Sequence, residues 1–454
     1  MKLTHNRRRV TAILAAALGL LLAATPASAN HPRSDAVSAW NANAGKAAVA
    51  ACISPIGPSP AEARLYAMTH VAIHDALNAI TRRSDPYAYD ARAPRRTSPD
   101  AAVAAAARDV LVPILGQFST LVPPQCPDAV DAAVAGVEAD YAAALGAIRD
   151  GRAKTRGIAV GKAAAAAILA LRANDGAQAL LVGSPGYSEG TRPGEYRFTP
   201  GTPFAFAPRL GELAPFVLRD GSQYRPGPPH ALTGRRYAAD VNEIKRLGGD
   251  GVVTPSARSP EQTEIARFWV ESSPLQWNRI ARTVAEAAGL DEWETARLLG
   301  LLNLSLIDGY IGTFEAKYHY RFWRPVTAIR LADADGNPRT TADPTWTPLV
   351  ETPPIPDHDS GHAVEGGAAA AVLRRFFRTD RTRFSACSTT LPARNCGQDN
   401  PVFRHYRSFS QAAAENGISR ILVGFHFRKA VEDGIEHGRR IGDRAVDRFM
   451  RPQR

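Results

Sequence analysis

Two tetrapeptides, Ser59-Pro60-Ala61-Glu62 and Ser259-Pro260-Glu261-Gln262, have the form of a helix start. A serine cap, proline at the first helical position and Glu or Gln three residues on satisfy the orphan amides of a first turn. Each opens a run whose apolar residues recur every three or four positions, predicting helices over 59–81 and 259–271. That spacing lays an apolar stripe along one helix face. It recurs at 98–118, 128–149, 153–173, 233–247, 275–288, 291–316, 360–377, 404–423 and 427–449. Two-residue alternation, the mark of a half-buried strand, is scarce. The chain therefore reads as all-α, with no sheet larger than a hairpin. Its 454 residues exceed one ordinary core, and about a dozen helices pack most simply as two helical bundles. Residues 175–230 are rich in Pro and Gly without long periodicity. Such a stretch is either a connector or a loop folded over a site mouth.

Residues 1–29 read as a signal peptide. Lys2, Arg7, Arg8 and Arg9 precede an apolar run from Ala12 to Ala24, and Ala27-Ser28-Ala29 has the form of a cleavage site. The run is short for a membrane span, so no stable span is expected after cleavage. The expected plan is a leader at 1–29, an N-terminal helical region at 30–230 and a site-bearing helical bundle at 231–454. Removing the leader takes away four positive charges and no acidic ones, lowering the net charge from +11 to +7. The surplus is spread along the chain without aromatic interleaving, which argues against a nucleic-acid partner. Cys52, Cys126, Cys387 and Cys396 are an even set in a chain expected to be secreted. Three pairings are possible; the short polar loop between Cys387 and Cys396 favours joining those two, leaving Cys52 with Cys126.

The chemistry concentrates in three segments: K-Y-H-Y-R-F-W-R-P at 317–325, D-S-G-H-A at 359–363 and S-R-I-L-V-G-F-H at 419–426. Lys317, Arg324, Arg420 and the Ser360 hydroxyl are strong donors to anionic oxygens. Asp359 or Ser360 can cap a helix beginning near Gly361, aiming the Gly361 N–H and the positive helix end at the same anion. His362 and His426 can divide the work between ligand or nucleophile and proton carrier. Together these groups describe a pocket for phosphate or vanadate. Gly424 suggests a corner between Arg420 and His426, without which six residues of helix would put them on different faces. The aromatic run Tyr318, Tyr320, Phe322 and Trp323 suits a pocket wall or ordinary core packing.

The order K-x6-R-P, S-G-H, S-R-x5-H resembles the superfamily of vanadium-dependent haloperoxidases and type 2 phosphatidic acid phosphatases. The flanking F-W-R-P-V-T-A-I-R and G-F-H-F-R are nearer the haloperoxidase branch, and E-A-R-L-Y-A-M-T-H-V-A-I-H-D-A at 62–76 is similar to its secreted bacterial members. The resemblance implies vanadate as cofactor, with Lys317, Arg324, Ser360, Gly361 and Arg420 on its equatorial oxygens. His426 would be the metal ligand and His362 the acid–base group. The implied partners are hydrogen peroxide, a halide and a small organic substrate. The alternative is an acid phosphatase acting on a phosphate ester, with His426 as phosphohistidine nucleophile and His362 protonating the leaving oxygen. A non-catalytic anion-binding module would need no second histidine.

The sequence departs from the family pattern at two places. Asp359 replaces the proline usual before S-G-H, adding a carboxylate beside the anion site that could weaken anion affinity or raise the pKa of His362. Ala430 replaces an aspartate common four residues after the last histidine, which puts one supporting contact in doubt, and the sequence does not name the partner that orients His426. Asp433, seven residues on and near the same helical face, is the candidate. Ile355, five before the serine, is apolar where many bromide-oxidising members have histidine. His70 and His74, four apart beside Asp75, could pair on a metal, but without an evident third ligand they read as packing.

Overall fold

The structure, a computed structural model, describes residues 35–54, 59–118, 126–177 and 187–453. The expected leader lies outside the described residues, as does 178–186 of the Pro/Gly-rich stretch. The first helices are α1 (Ala36–Ala50), α2 (Ser59–Thr81), α3 (Pro99–Gln117), α4 (Ala129–Gly146) and α5 (Arg152–Leu171). After a largely irregular stretch come α6 (Arg235–Leu247), α7 (Pro260–Phe268), α8 (Ser273–Ala288), α9 (Glu292–Tyr320) and α10 (Pro325–Arg330). The chain ends with α11 (Gly361–Phe377), the hairpin β1 (Phe384–Ala386) and β2 (Arg404–Tyr406), then α12 (Phe409–Leu422) and α13 (Arg428–Arg448). The architecture is all-α apart from this hairpin, and among the described residues no helix is long and apolar enough to cross a membrane.

The elements follow the sequence signals closely but not everywhere. Ser259 and Gln262 close their capping box. At α2 the helix begins at Ser59 as expected, yet Glu62 is buried and accepts the Ser272 hydroxyl, so its carboxyl serves the core. The helix expected from 404 starts at Phe409, because 404–406 pairs as β2 and Ser408 caps the Gln411 amide. Helices α1 and α10 were not anticipated. Both favoured disulfides are present, Cys52–Cys126 and Cys387–Cys396.

Helix α9 is the wall that the two bundles share. Asp291 and Glu294 cap it reciprocally, and it ends at Arg321 in the left-handed region (φ 50°). It is buried around its circumference for most of its length, as a helix apolar on all sides must be. It packs on α2 of the N-terminal bundle and on α11 and α13 of the C-terminal one. The α11–α13 contact explains how the motifs meet. Gly434, Gly438 and Gly442 form a four-residue repeat on α13, and a Cβ on Gly438 would overlap the Val364 carbonyl of α11. This approach sets the beginning of α13, just after His426, against the Ser360 end of α11.

The Pro/Gly-rich stretch folds over the motif segments. Trp323 donates its amide to Gly194 O at 2.9 Å and Tyr196 donates to Arg321 O at 2.7 Å. Phe206 donates to Pro354 O at 2.8 Å. The strand-like strap 194–206 is thereby tied both to the lysine–arginine segment and to the loop before Ser360.

Candidate functional site

Lys317 reaches from the last turn of α9, wholly buried, and donates to Pro356 O at 2.9 Å and Asp357 O at 2.7 Å. Arg324 stands just before α10, where Pro325 fixes the backbone. Its Nε donates to Ile355 O at 2.6 Å and its Nη1 to Phe425 O at 3.0 Å. Arg420, in the last turn of α12, donates from Nη1 to Trp269 O at 2.8 Å. All three cations thus spend hydrogen bonds on neutral carbonyls. Arg324 Nη2, Arg420 Nε and the Ser360 hydroxyl are buried with no hydrogen-bond partner among the described residues.

Ser360 is the N-cap residue of α11 by backbone geometry, but its side chain caps nothing. Its amide donates to Ala430 O at 2.9 Å, tying α11 to α13. Gly361 follows as the first helical residue, and a Cβ there would meet only Thr313 of α9, at 3.8 Å. The first-turn amides, the free hydroxyl and the positive helix end thus stand together.

Gly424 turns the chain with φ 91°, and His426 arrives at the corner before α13. Its Nδ1 lies 2.8 Å from Asp357 Oδ1, and Arg324 Nη1 lies 3.0 Å from Nε2. The carboxylate places the proton on Nδ1 and leaves the Nε2 lone pair toward the cations. Burial, then Arg324, Lys317, Arg420 and His362, hold its pKa well below the usual imidazole range. His362, in the first turn of α11, has Nε2 3.2 Å from Glu271 O, leaving Nδ1 as an acceptor. Burial and then Arg420 keep it neutral as well. Burial pushes Lys317 well down, with Arg324 adding to it. Burial likewise raises Asp357, to about 6, against the opposing pull of Arg324 and Lys317.

The structure therefore brings Lys317, Arg324, Ser360, Gly361, His362, Arg420 and His426 to one place. Two expectations about their surroundings are corrected. The partner of His426 is Asp357, three residues before Ser360; Asp433 instead pairs with Lys429 at 2.7 Å and His358 at 3.3 Å. Asp359 does not raise His362, because its carboxylate is turned to His437 Nδ1 at 2.9 Å. Of the aromatic run, Trp323 is fully buried core, while Tyr318, Tyr320 and Phe322 are half-buried, Phe322 packing edge-on against Phe427. Ile355 contributes its carbonyl to Arg324. His70 pairs with Asn41, while His74 pairs with Asp75 and Ser84. Among the described residues no three His, Cys, Asp or Glu side chains group as a metal site.

Chemically, the pocket concentrates positive charge; Asp357 is the carboxylate bonded to His426, and Asp359 also acts on Lys317. Buried charge without compensation is costly. A tetrahedral oxyanion would satisfy the free donors and balance the charge at once. One imidazole lone pair faces the same space, so a group that also accepts a single nitrogen ligand fits the donor set.

Comparison with known proteins agrees with this geometry. Residues 297–454 match a family model described as the VCPO second helical-bundle domain. The vanadium chloroperoxidase of Curvularia inaequalis is 25% identical over 280 residues, covering 49% of this chain and 45% of that protein. The match therefore spans less than half the length of that relative. A bacterial vanadium-dependent iodoperoxidase superposes with a TM-score of 0.73 at 22% identity, over 92% of this chain and 96% of that one. The holo form of a bacterial vanadium-dependent chloroperoxidase gives 0.66 at 18% identity, over 90% and 95% of the respective chains. These structural likenesses establish the fold.

Proposed function

We propose, from its similarity in sequence and fold to vanadium-dependent haloperoxidases, that this chain is a secreted vanadate-dependent peroxidase. It would oxidise halide with hydrogen peroxide and deliver the product to a small organic acceptor. The observation that carries this reading is the set of buried cationic donors, two of them with nitrogens unpartnered among the described residues, gathered around the unprotonated Nε2 of His426. The two disulfides support export to an oxidising compartment. The proposed division keeps the site in 231–454, with 30–230 supplying the N-terminal bundle and the strap.

Each residue then has a definite task. Lys317, Arg324, Arg420, the Ser360 hydroxyl and the Gly361 amide would hold the oxygens of vanadate. Asp357 keeps the His426 proton on Nδ1, so that Nε2 is the unprotonated nitrogen; Arg324 Nη1, now 3.0 Å from it, would have to turn to the anion for Nε2 to ligate. Bound vanadate supplies a Lewis-acidic centre that polarises peroxide without changing oxidation state. His362 Nδ1 accepts a proton from incoming peroxide, while the Glu271 carbonyl fixes the ring. The strap excludes water around Lys317 and Arg324, which strengthens their grip on the anion.

The test measures monochlorodimedone halogenation with peroxide and bromide or chloride, beside hydrolysis of a phosphate monoester, with and without vanadate. Vanadate-dependent halogenation is expected. His362→Ala should retain vanadate while halogenation falls by about a hundredfold or more. Vanadate-free phosphatase turnover without halogenation would replace this reading with the phosphohistidine one.

A further inference from the structure

Glu365 lies one turn beyond His362 on α11, wholly buried, and neither carboxyl oxygen has a hydrogen-bond partner among the described residues. The opposite helix makes room for it: a Cβ on Gly309 of α9 would overlap Glu365 Oε1. The next residue, Tyr310, is buried with its phenol in electrostatic reach of Glu365, of Glu62 on α2 and of Arg420 in the pocket. Thr313 follows on the same face of α9 and stands beside Gly361. Its hydroxyl is also buried without a partner among the described residues. Tyr310, Thr313 and Lys317 thus form a polar face running from Glu365 to the anion cradle.

The charged groups on neighbouring elements are engaged elsewhere. Lys317 is held by the Pro356 and Asp357 carbonyls, and Arg420 by Trp269 O. His437 of α13 is held by Asp359, and Arg279 of α8 by Glu271. Burial is the one influence on Glu365, and it pushes its pKa well above the carboxylate range. Burial also pushes Glu62 up to about 8, with the Ser272 hydroxyl opposing. Burial thus biases both toward the neutral acid, the form that holds a transferable proton. Beyond Glu62 the polar groups continue outward: Ser272 bonds it, and the neighbouring Glu271 carboxylate accepts from Thr389, which is exposed.

Resting on the peroxidase reading, the chemistry sets a demand for such a proton. The peroxide O–O bond breaks, an oxygen–halogen bond forms and the halide gives up two electrons. One proton is consumed as hypohalous acid and water leave. His362 returns the proton it takes from peroxide and so supplies none on balance. We propose that Glu365 is a buried proton donor that serves the anion pocket through Tyr310 and Thr313, and that Glu62 refills it from the Glu271 side.

Glu365→Gln tests this, because glutamine keeps the size and neutrality of the acid and removes its proton. Vanadate affinity by calorimetry and the thermal midpoint should stay as in wild type. Halide turnover at neutral pH should fall at least tenfold with KM for peroxide unchanged, and its solvent deuterium isotope effect should rise. Tyr310→Phe should move turnover and isotope effect the same way. In the vanadate-free protein, the infrared carbonyl band of a protonated carboxyl should be present at neutral pH and diminish in Glu365→Gln. Turnover equal to an active wild type, or an unchanged infrared band, overturns the inference alone. A wild-type protein that binds vanadate but never oxidises halide overturns both this inference and the peroxidase reading.

Discussion

Two of the buried histidine–aspartate pairs, one in each bundle, have surroundings that differ in one respect. In the N-terminal bundle, His74 uses Nδ1 on Asp75 at 2.9 Å and Nε2 on Ser84 at 2.8 Å. Asp75 also accepts the amides of Tyr87, Ala88 and Tyr89, at 2.9, 2.6 and 2.8 Å. Every polar atom there has a partner, and the network stitches α2 to the loop that follows it. In the C-terminal bundle, His426 has one nitrogen on Asp357 and the other turned toward Arg324. Around it Asp357 Oδ2, Arg324 Nη2, Arg420 Nε and the Ser360 hydroxyl are buried without partners among the described residues. A saturated network holds a fold; an unsaturated one, equally buried, is kept for something that arrives later.

The sharpest way to break that contrast is to truncate both histidines. His426→Ala should weaken vanadate binding by on the order of a thousandfold, about 4 kcal/mol, because the proposed nitrogen ligand is gone. Its thermal midpoint should change little. His74→Ala should do the reverse: the buried Asp75 and Ser84 lose partners, stability falls by about 2 kcal/mol, and vanadate affinity stays put. Calorimetric titration and thermal unfolding of both variants decide it. A His74 variant that loses vanadate, or a His426 variant that keeps it, would dissolve the distinction.

Asp357→Asn sharpens the same point. Asparagine retains the shape but no longer presents a carboxylate to Nδ1–H, so His426 loses the group that fixes its tautomer. Vanadate affinity should fall by about 10- to 100-fold. An unchanged dissociation constant would mean that Arg324 and the backbone orient the ring unaided. Arg420→Ala removes one charged donor, whose hydrogen bond is worth roughly 1.5–3 kcal/mol, so affinity should drop at least tenfold. Unaltered binding would place Arg420 outside the cradle.

The groups at this pocket were legible because few side chains can hold an oxyanion, and because their order along the chain carries the resemblance to the haloperoxidase superfamily. Their supports were less legible. Asp357 meets His426 across 69 residues of sequence, and Asp359 meets His437 across 78. Such pairings depend on the α11–α13 approach, which no local pattern states. The all-α class followed from periodicity and caps, but α1 was missed. Its two asparagines and Gly45 are weak helix formers; the helix stands because Asp35 caps it and Trp40 and Ala44 bury against the core. Helix α10 has six residues, too few for a periodic argument. The three residues of β2 were likewise too short to separate from the helix that follows.

The smallest expected effect tests the support that helical spacing suggested and the fold did not adopt. Asp433 lies on α13 near the face that begins at His426, but its carboxylate is taken by Lys429 at 2.7 Å, with His358 at 3.3 Å. Its side chain is partly exposed, and such ion pairs contribute about 0–1 kcal/mol. His358 keeps a second contact, to Gly227 O at 2.9 Å, so the loop before Ser360 remains anchored when the carboxylate is removed. Asp433→Ala should therefore leave vanadate affinity within about twofold of wild type and cost about 1 kcal/mol of stability at most. A loss as large as that expected for Asp357→Asn would mean that α13 steers His426 through Asp433, and that the Asp357 contact is not what holds the ring.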